Sequence, residues 1–365
     1  MSYVIIFILL WPFKMLMKPF HRRTGRNLVI QTAKIGDFVN ITPLLRYLNI
    51  SDVLISKTVL PLAEHDATIG SIYLIEDYKK SLFSKIRLAF HLLNRYDNVY
   101  LLQPNSVNAF YAAFCNAPKK AFLIAYARKW YHNIFYWTAD VVRMHRKTDF
   151  TLESYLKLAN PTFTAASYKK HATWPLWIPA NPLPELAKND QIKIGISISA
   201  GNKAKTIPTD VWIKILNCLD GLPCQFYVFG PENEQSYLDP LLAKLTDNEY
   251  IISLIGKLKL HEVPHAISQM DVYIASDSGN VYIADAVETP MICLAGPCDL
   301  AEQHPTFAPL ILKPEDPKLA PESFVFSAPY TFRHSAEELF SLSDAQLNQI
   351  RSFVISKTGQ EQNHA

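Results

Sequence analysis

Short apolar runs alternating with stretches of helical period organise most of this chain. After Gly25, runs at residues 28–31, 53–55, 71–75, 99–102 and 122–125 read as strands. Stretches at 38–48, 82–94, 108–115 and 150–158 read as helices, the first with Pro43 inside its pattern. A second series begins at Ile192, with strands expected at 193–198, 225–229, 250–254, 272–275 and 291–295. Pro208 stands near the start of a helix in which Trp212, Ile215, Leu216 and Leu219 follow the i, i+3, i+4, i+7 rule and which Gly221 closes. A final helix is expected at 344–355, with Ser343 as N-cap and Gln346 at the capping-box position. This alternation predicts α/β domains built on parallel sheets.

Between the two series the pattern breaks. Pro175, Pro179, Pro182 and Pro184 crowd one short stretch together with Trp174 and Trp177, and such spacing continues neither a helix nor a central strand. Residues 171–190 are therefore expected to link a domain at 24–170 to a second at 191–342, with a carboxyl-terminal helix and tail at 343–365. A length of 365 residues fits two domains better than one core. Two such domains place a cleft between the carboxyl ends of two sheets, where open α/β sheets bind ligands.

Residues 1–23 form an apolar and basic amino-terminal segment. Residues 3–13 are almost wholly apolar, and Lys14, Lys18, Arg22 and Arg23 follow. About eleven apolar residues are too few to span a bilayer as a helix. A secretory signal carries its charges before the apolar core, and here they come after it. Three readings remain: an anchor lying in the membrane interface, a helix buried on the protein, and a marginal spanning helix.

The stretch from Asp271 to Asp299 carries the densest candidate chemistry. A strand, a small polar loop at 276–280, a short helix at 281–288 stopped before Pro290, and a second strand make a βαβ unit. The loop feeds a helix N-terminus whose first N–H groups lack intrahelical partners, and the dipole favours negative charge there. Ser278, Gly279 and Asn280 would admit a phosphate, and Asp277 would accept from sugar or ribose hydroxyls. The competing reading is an ordinary turn with Ser and Asp as local caps.

Composition narrows the function classes. The chain is 49% hydrophobic and 19% charged, as a globular protein is. A net charge of +3 gives no argument for nucleic acid. Five cysteines, Cys115, Cys218, Cys224, Cys293 and Cys298, lack metal-like spacing and fit buried thiols in a reducing compartment. His261, Glu262, Val263, Pro264 and His265 spell a zinc-protease motif, but Pro264 would weaken its helix and no third ligand lies near, so a helix start is the expected reading. No metal site is expected. The first βα turn has one glycine, Gly36, where a dinucleotide fingerprint has three, which argues against an oxidoreductase.

Lys34-Ile35-Gly36-Asp37, followed by Ile41-Thr42-Pro43-Leu44-Leu45-Arg46-Tyr47-Leu48, resembles the amino-terminal signature of glycosyltransferase family 9, which contains the ADP-heptose:lipopolysaccharide heptosyltransferases. Arg95-Tyr96-Asp97 before the run at 98–102 is similar to the family's strand entry. Asp277-Ser278-Gly279, Ala284, Ala286, Thr289-Pro290 and Gly296-Pro297-Cys298-Asp299 resemble its carboxyl-terminal signature. The resemblance runs from about Asn27 to Asp299. It implies a GT-B architecture, two Rossmann-like domains facing each other across a cleft. It also implies inverting, metal-independent sugar transfer from a nucleotide-sugar, ADP-linked in this family, to a lipid-linked saccharide such as lipopolysaccharide core. The nucleotide-sugar is a substrate, and no cofactor is expected. The expected enzyme is a monomer in the cytoplasm, peripheral on the inner face of the inner membrane.

By the same resemblance Asp37 is the base that takes the proton of the acceptor hydroxyl; its other reading is the N-cap of the following helix. Lys34 is either an acceptor-binding cation or a solvated loop lysine. Lys205 lies three residues before Pro208, as in the family's Lys-x-x-Pro pattern, and would neutralise the leaving diphosphate, with Lys203 as its competitor. Ser199 is a further phosphate donor, and Glu232 and Glu234 compete for the ribose hydroxyls or are solvated surface acids. Tyr282 departs from the family's frequent histidine: its O–H can donate to phosphate but carries no positive charge. That departure leaves open a nucleotide-sugar-binding protein of envelope polysaccharide assembly without turnover.

Overall fold

The computed structural model describes residues 2–167, 169–326 and 333–359. The chain divides into two compact units, Met1–Pro175 and Leu176–Ala365, so the boundary falls inside the proline-rich stretch. The expected tail residues 360–365 lie outside the described residues.

The amino-terminal unit holds strands β1 (Asn27–Gln31), β2 (Ser51–Ile55), β3 (Ile69–Leu74), β4 (Asn98–Leu101), β5 (Lys119–Ala125) and β6 (Val141–His145). They pair in parallel in the order β3-β2-β1-β4-β5-β6. The carboxyl-terminal unit holds β7 (Ile192–Ile196), β8 (Cys224–Val228), β9 (Ile251–Ser253), β10 (Val272–Ser276), β11 (Met291–Leu294) and β12 (Pro309–Leu312). Their order, β12-β11-β10-β7-β8-β9, is the same topology counted from β7, again all parallel. The fold is α/β, with two Rossmann-like sheets of six strands. Every residue of β1, β2, β7, β10 and β11 is buried, which is why these strands read as mostly apolar runs without a polar face.

The unforeseen strands, β6 and β12, lie at sheet edges. β6 is mostly solvent-facing and carries Arg143, and β12 opens on Pro309, which an edge tolerates. Ile75, expected to end a strand, starts a helix over Ile75–Lys79. The helix expected from residue 38 begins earlier, as Ile35–Leu48, with Lys34 as its N-cap. The N-cap reading of Asp37 is therefore wrong: Asp37 lies inside the first turn.

In each sheet the strand order reverses at one point, between β1 and β4 and between β7 and β10. Ile30 pairs with Leu101, and Ile196 with Ile274, so the central strands end level and their following loops are neighbours. The β7–β10 contact is close: a Cβ on Gly195 would lie 2.5 Å from the Tyr273 ring. In the same unit Trp212, Ile215, Leu216 and Leu219 are buried, as their spacing predicts. The last helix, Asp344–Thr358, has the full capping box of Ser343 and Gln346.

The proline-rich stretch is held at both ends. His171 Nε2 lies 2.7 Å from Asp66 Oδ2, and the Trp174 carbonyl accepts from Ala67 N at 2.7 Å, within the first unit. Lys193 Nζ donates to the Leu186 and Ala187 carbonyls, and Trp177 packs edge-on against His261, within the second.

The amino-terminal segment is a helix, Ser2–Met17, followed by a 3-10 turn, Lys18–Phe20. Ser2–Phe20 is long and apolar enough to cross a bilayer by length and composition, which corrects the count of about eleven residues. One face of this helix docks on the first unit. Phe7 is buried against Phe110 and Phe135, Lys14 Nζ donates to Asn116 Oδ1 at 2.8 Å, and Asn94 Nδ2 donates to the Met17 carbonyl. The other face exposes Ile5, Ile8, Leu9, Phe13 and Leu16.

Candidate active site

In the carboxyl-terminal unit the crevice between β7 and β10 gathers most of the residues singled out above. The loop after β7 forms a 3-10 turn, Lys203–Lys205, N-capped by Asn202, whose side chain accepts from Ala204 N. This turn aims Lys205 at the loop after β10, where its Nζ meets Asp277 Oδ2 at 2.7 Å. Lys203 is exposed, so Lys205 is the lysine brought into the crevice. Burial works against charge on Lys205, but the Asp277 carboxylate outweighs it and lifts the lysine above its ordinary pKa. Asp277 in turn is held below the usual carboxylate range against the pull of burial, chiefly by Lys205, with Tyr282 and Cys298 adding hydrogen bonds.

Asp277 was expected to present a free acceptor to sugar hydroxyls. Both of its oxygens are engaged: Oδ2 by Lys205, and Oδ1 by the Tyr282 hydroxyl at 2.6 Å. Tyr282 was expected to donate to phosphate. It is 2% exposed, and its single proton goes to Asp277, with the Gln303 carbonyl 3.1 Å away. These two residues thus hold the ammonium in place, a job that asks for an O–H donor and not for a second cation.

Beside Lys205 starts the helix Gly279–Ala286, earlier than the expected residue 281. Ser278 is its N-cap and makes no side-chain capping bond, so the first-turn amides of Gly279, Asn280 and Val281 have no intrahelical acceptor. Asn280 Nδ2 donates to Ser197 Oγ at 3.0 Å, and Ser197 is bonded to the Tyr273 hydroxyl at 2.7 Å. That chain fixes the start of the helix to the end of β7.

Ser199 and Glu234 meet on the β8 side. Burial pushes the Glu234 carboxyl up, and its hydrogen bond with Ser199 offsets only part of this. Gly230 makes room, since a Cβ there would come within 2.6 Å of Glu234 Oε2. Glu232 is exposed. Of the two acids the sequence could not separate, Glu234 is the one folded toward the crevice.

In the amino-terminal unit Lys34 is exposed and Asp37 half-buried, both just past the end of β1. Next to them lies a polar network that the sequence reading missed. Thr32 N and Oγ1 donate to Gln103 Oε1 at 3.1 and 2.9 Å, and Asn108 Nδ2 donates to Thr32 Oγ1 and to the Gln103 carbonyl. Asn105 caps the helix Ser106–Phe114 through Val107 N and Asn108 N. The available signal was topological: Gln103 and Asn105 follow β4, the strand beside β1 at the reversal point.

The zinc-like motif is not one helical face. The helix Val263–Ile267 starts after His261 and carries Pro264 in its first turn, the helix start expected there. His261 packs on Trp177, and His265 pairs with Gln269. Among the described residues no group of three His, Cys, Asp or Glu side chains is arranged to hold a metal ion.

A family comparison identifies the class of protein that carries these crevices. The sequence model of glycosyltransferase family 9 (heptosyltransferase) matches residues 86–309, a span that takes in Lys205, Glu234, Asp277 and Tyr282 and begins after Asp37. A search of curated proteins finds no match. Among solved structures, E. coli ADP-heptose lipopolysaccharide heptosyltransferase II is similar with a TM-score of 0.65 at 18% identity, covering 91% of this chain and 99% of that one. E. coli heptosyltransferase WaaC with ADP gives 0.63 at 13%, with the same coverages. The glycosyl transferase family 9 structure from Veillonella parvula DSM 2008 gives 0.62 at 18%, covering 79% and 85%. At such identities the likeness is one of fold, the GT-B architecture of two Rossmann-like domains. The family match spans more than half of the sequence, and on it the chain belongs to glycosyltransferase family 9, the heptosyltransferase family, and is a glycosyltransferase.

Proposed function

We propose that the enzyme moves heptose from ADP-heptose to a hydroxyl of a lipid-linked saccharide, with inversion and without a metal ion. The observation that carries this reading is the Lys205 ammonium, held charged by Asp277 beside an uncapped helix N-terminus. A leaving diphosphate needs positive charge that is in place before the bond breaks, and this pair with the helix amides supplies it. One E. coli neighbour is an ADP-heptose lipopolysaccharide heptosyltransferase and the other a heptosyltransferase with ADP, which favours an adenine nucleotide here.

In this reaction Asp37 takes the proton of the acceptor hydroxyl. The hydroxyl oxygen bonds to the anomeric carbon from the face opposite the diphosphate. The carbon–oxygen bond to the β-phosphate breaks, its electron pair leaves with ADP, and Lys205 meets the new charge. Lys34 stands one turn before Asp37 as a cation for an acidic group of the acceptor. The protein lies on the inner face of the inner membrane, held by the exposed apolar face of the helix Ser2–Met17.

ADP raises the melting temperature, and a hundredfold excess over its dissociation constant corresponds to about 2.7 kcal/mol. UDP, CDP and GDP at equal concentration giving larger shifts would remove the adenine assignment. Glu234 serves the ribose hydroxyls as an ionised acceptor. Its carboxyl titrates above the usual carboxylate range, so ADP affinity falls as pH drops through that raised value and is complete well above it. Glu234→Gln weakens ADP by about tenfold at neutral pH and removes the acid limb. Calorimetric titration across roughly pH 4.5 to 8 checks this, and an unchanged acid limb in the variant assigns it to another group.

A further inference from the structure

A groove of about 640 Å³ runs between the helix Ser2–Met17 and the segment from Ile134 to Thr138. Its sides are apolar: Trp11 and Met15 from the helix, Ile134 and Trp137 opposite. Its lining also includes three lysines, Lys14, Lys18 and Lys120. Lys14 is 4% exposed and Lys120 7%. Ammonium groups beside apolar walls are costly unless an anion meets them. The Lys14 ammonium meets neutral partners, the Asn116 amide oxygen at 2.8 Å and the face of the Trp11 ring 5.3 Å away. Asp140 accepts from Lys120 N at 2.8 Å, and its nearby charge raises Lys120 by less than burial lowers it. Burial, and then the nearby charge of Lys120, bring Lys14 down to about 8, and burial lowers Lys120 as well. The neighbouring thiol, Cys115, is pushed up to about 12 by burial and supplies no negative charge at neutral pH. Trp137 stands at the groove's edge with 82% of its surface exposed, an amphipathic ring of the kind found at membrane interfaces.

Cations within an apolar groove, with an exposed indole at the mouth, match an amphiphile with an anionic head. We propose that the groove holds one anionic phospholipid of the bilayer, its phosphate on Lys14, Lys18 and Lys120 and the start of its acyl chains against Trp11, Ile134 and Trp137. This rests on the membrane-surface reading above and adds to it a defined lipid site. The occupant is not the saccharide acceptor. Lys120 sits at the amino end of β5, whereas Asp37 follows the carboxyl end of β1 in the same parallel sheet. By register Lys120 lies level with Leu28, two strands away, so about 10 Å along the strands and about 10 Å across the sheet separate it from the end of β1 that Asp37 follows.

Flotation of the full-length protein with phosphatidylcholine vesicles, and with vesicles that also contain phosphatidylglycerol, separates the outcomes. The wild type is expected to bind both and to prefer the anionic ones. Lys120→Gln should bind anionic vesicles about fivefold more weakly and neutral ones as before. Trp137→Ser, a change at an exposed position that leaves the fold intact, should weaken both. Binding to neither vesicle would overturn the membrane-surface reading itself. Equal binding of wild type to both, or a Lys120→Gln preference equal to wild type, would keep that reading and overturn the lipid site. Displacement by inorganic phosphate at constant ionic strength would also overturn it, in favour of a site for free phosphate.

Discussion

Asp37→Asn lowers turnover by about a thousandfold and leaves ADP affinity unchanged. The substitution keeps the shape of the side chain and its place in the first turn of the helix Ile35–Leu48. It removes the negative charge and with it the capacity to hold the acceptor's proton. The stabilising effect of a carboxylate near a helix N-terminus is about 0.3–1 kcal/mol, too little for its loss to unfold the unit or to account for a thousandfold effect. Single-turnover transfer together with ADP binding reads the two quantities separately. Wild-type turnover in Asp37→Asn would remove Asp37 as the base, and parallel loss of ADP binding would mean that the change acts on the fold.

Lys205→Met lowers transfer by about two to three orders of magnitude, the range for removing one preorganised group from a site of developing negative charge. A stability effect accompanies it and has to be separated. Without Lys205, Asp277 is a nearly buried carboxylate whose remaining partners are hydroxyl and thiol, and breaking such a pair costs about 3–5 kcal/mol. The double variant Lys205→Met with Asp277→Asn removes that uncompensated charge. It is expected to recover most of the melting temperature and none of the transfer. Recovery of both would reduce Lys205 to a structural ion pair.

The central strands were legible because burial on both faces leaves a mostly apolar run without a polar face. β6 and β12 were not, since an edge strand such as Val141–His145 needs only partial apolar character. Within the site, residue types were legible and pairings were not. Lys205 and Asp277 are 72 residues apart, and nothing local states that β10 lies beside β7. The network of Thr32, Gln103 and Asn108 escaped for the same reason. Glu232 and Glu234 were indistinguishable in sequence, and the difference lies in the space that Gly230 leaves. Tyr282 read as a weakened ligand because its partner lies one turn back, at Asp277, where only side-chain direction tells a buttress from a contact. Lys14 read as the first of the charges after an apolar run, and its burial against Asn116, 102 residues away, was not legible.

Proton NMR of the product formed from ADP-heptose and a lipid-linked saccharide, in the presence of a chelator, tests the central claim most directly. The account predicts one new glycosidic bond per ADP released, with the anomeric configuration inverted and a rate unchanged by the chelator. ADP-heptose that binds and is never consumed, a product of retained configuration, or a rate abolished by the chelator would contradict it.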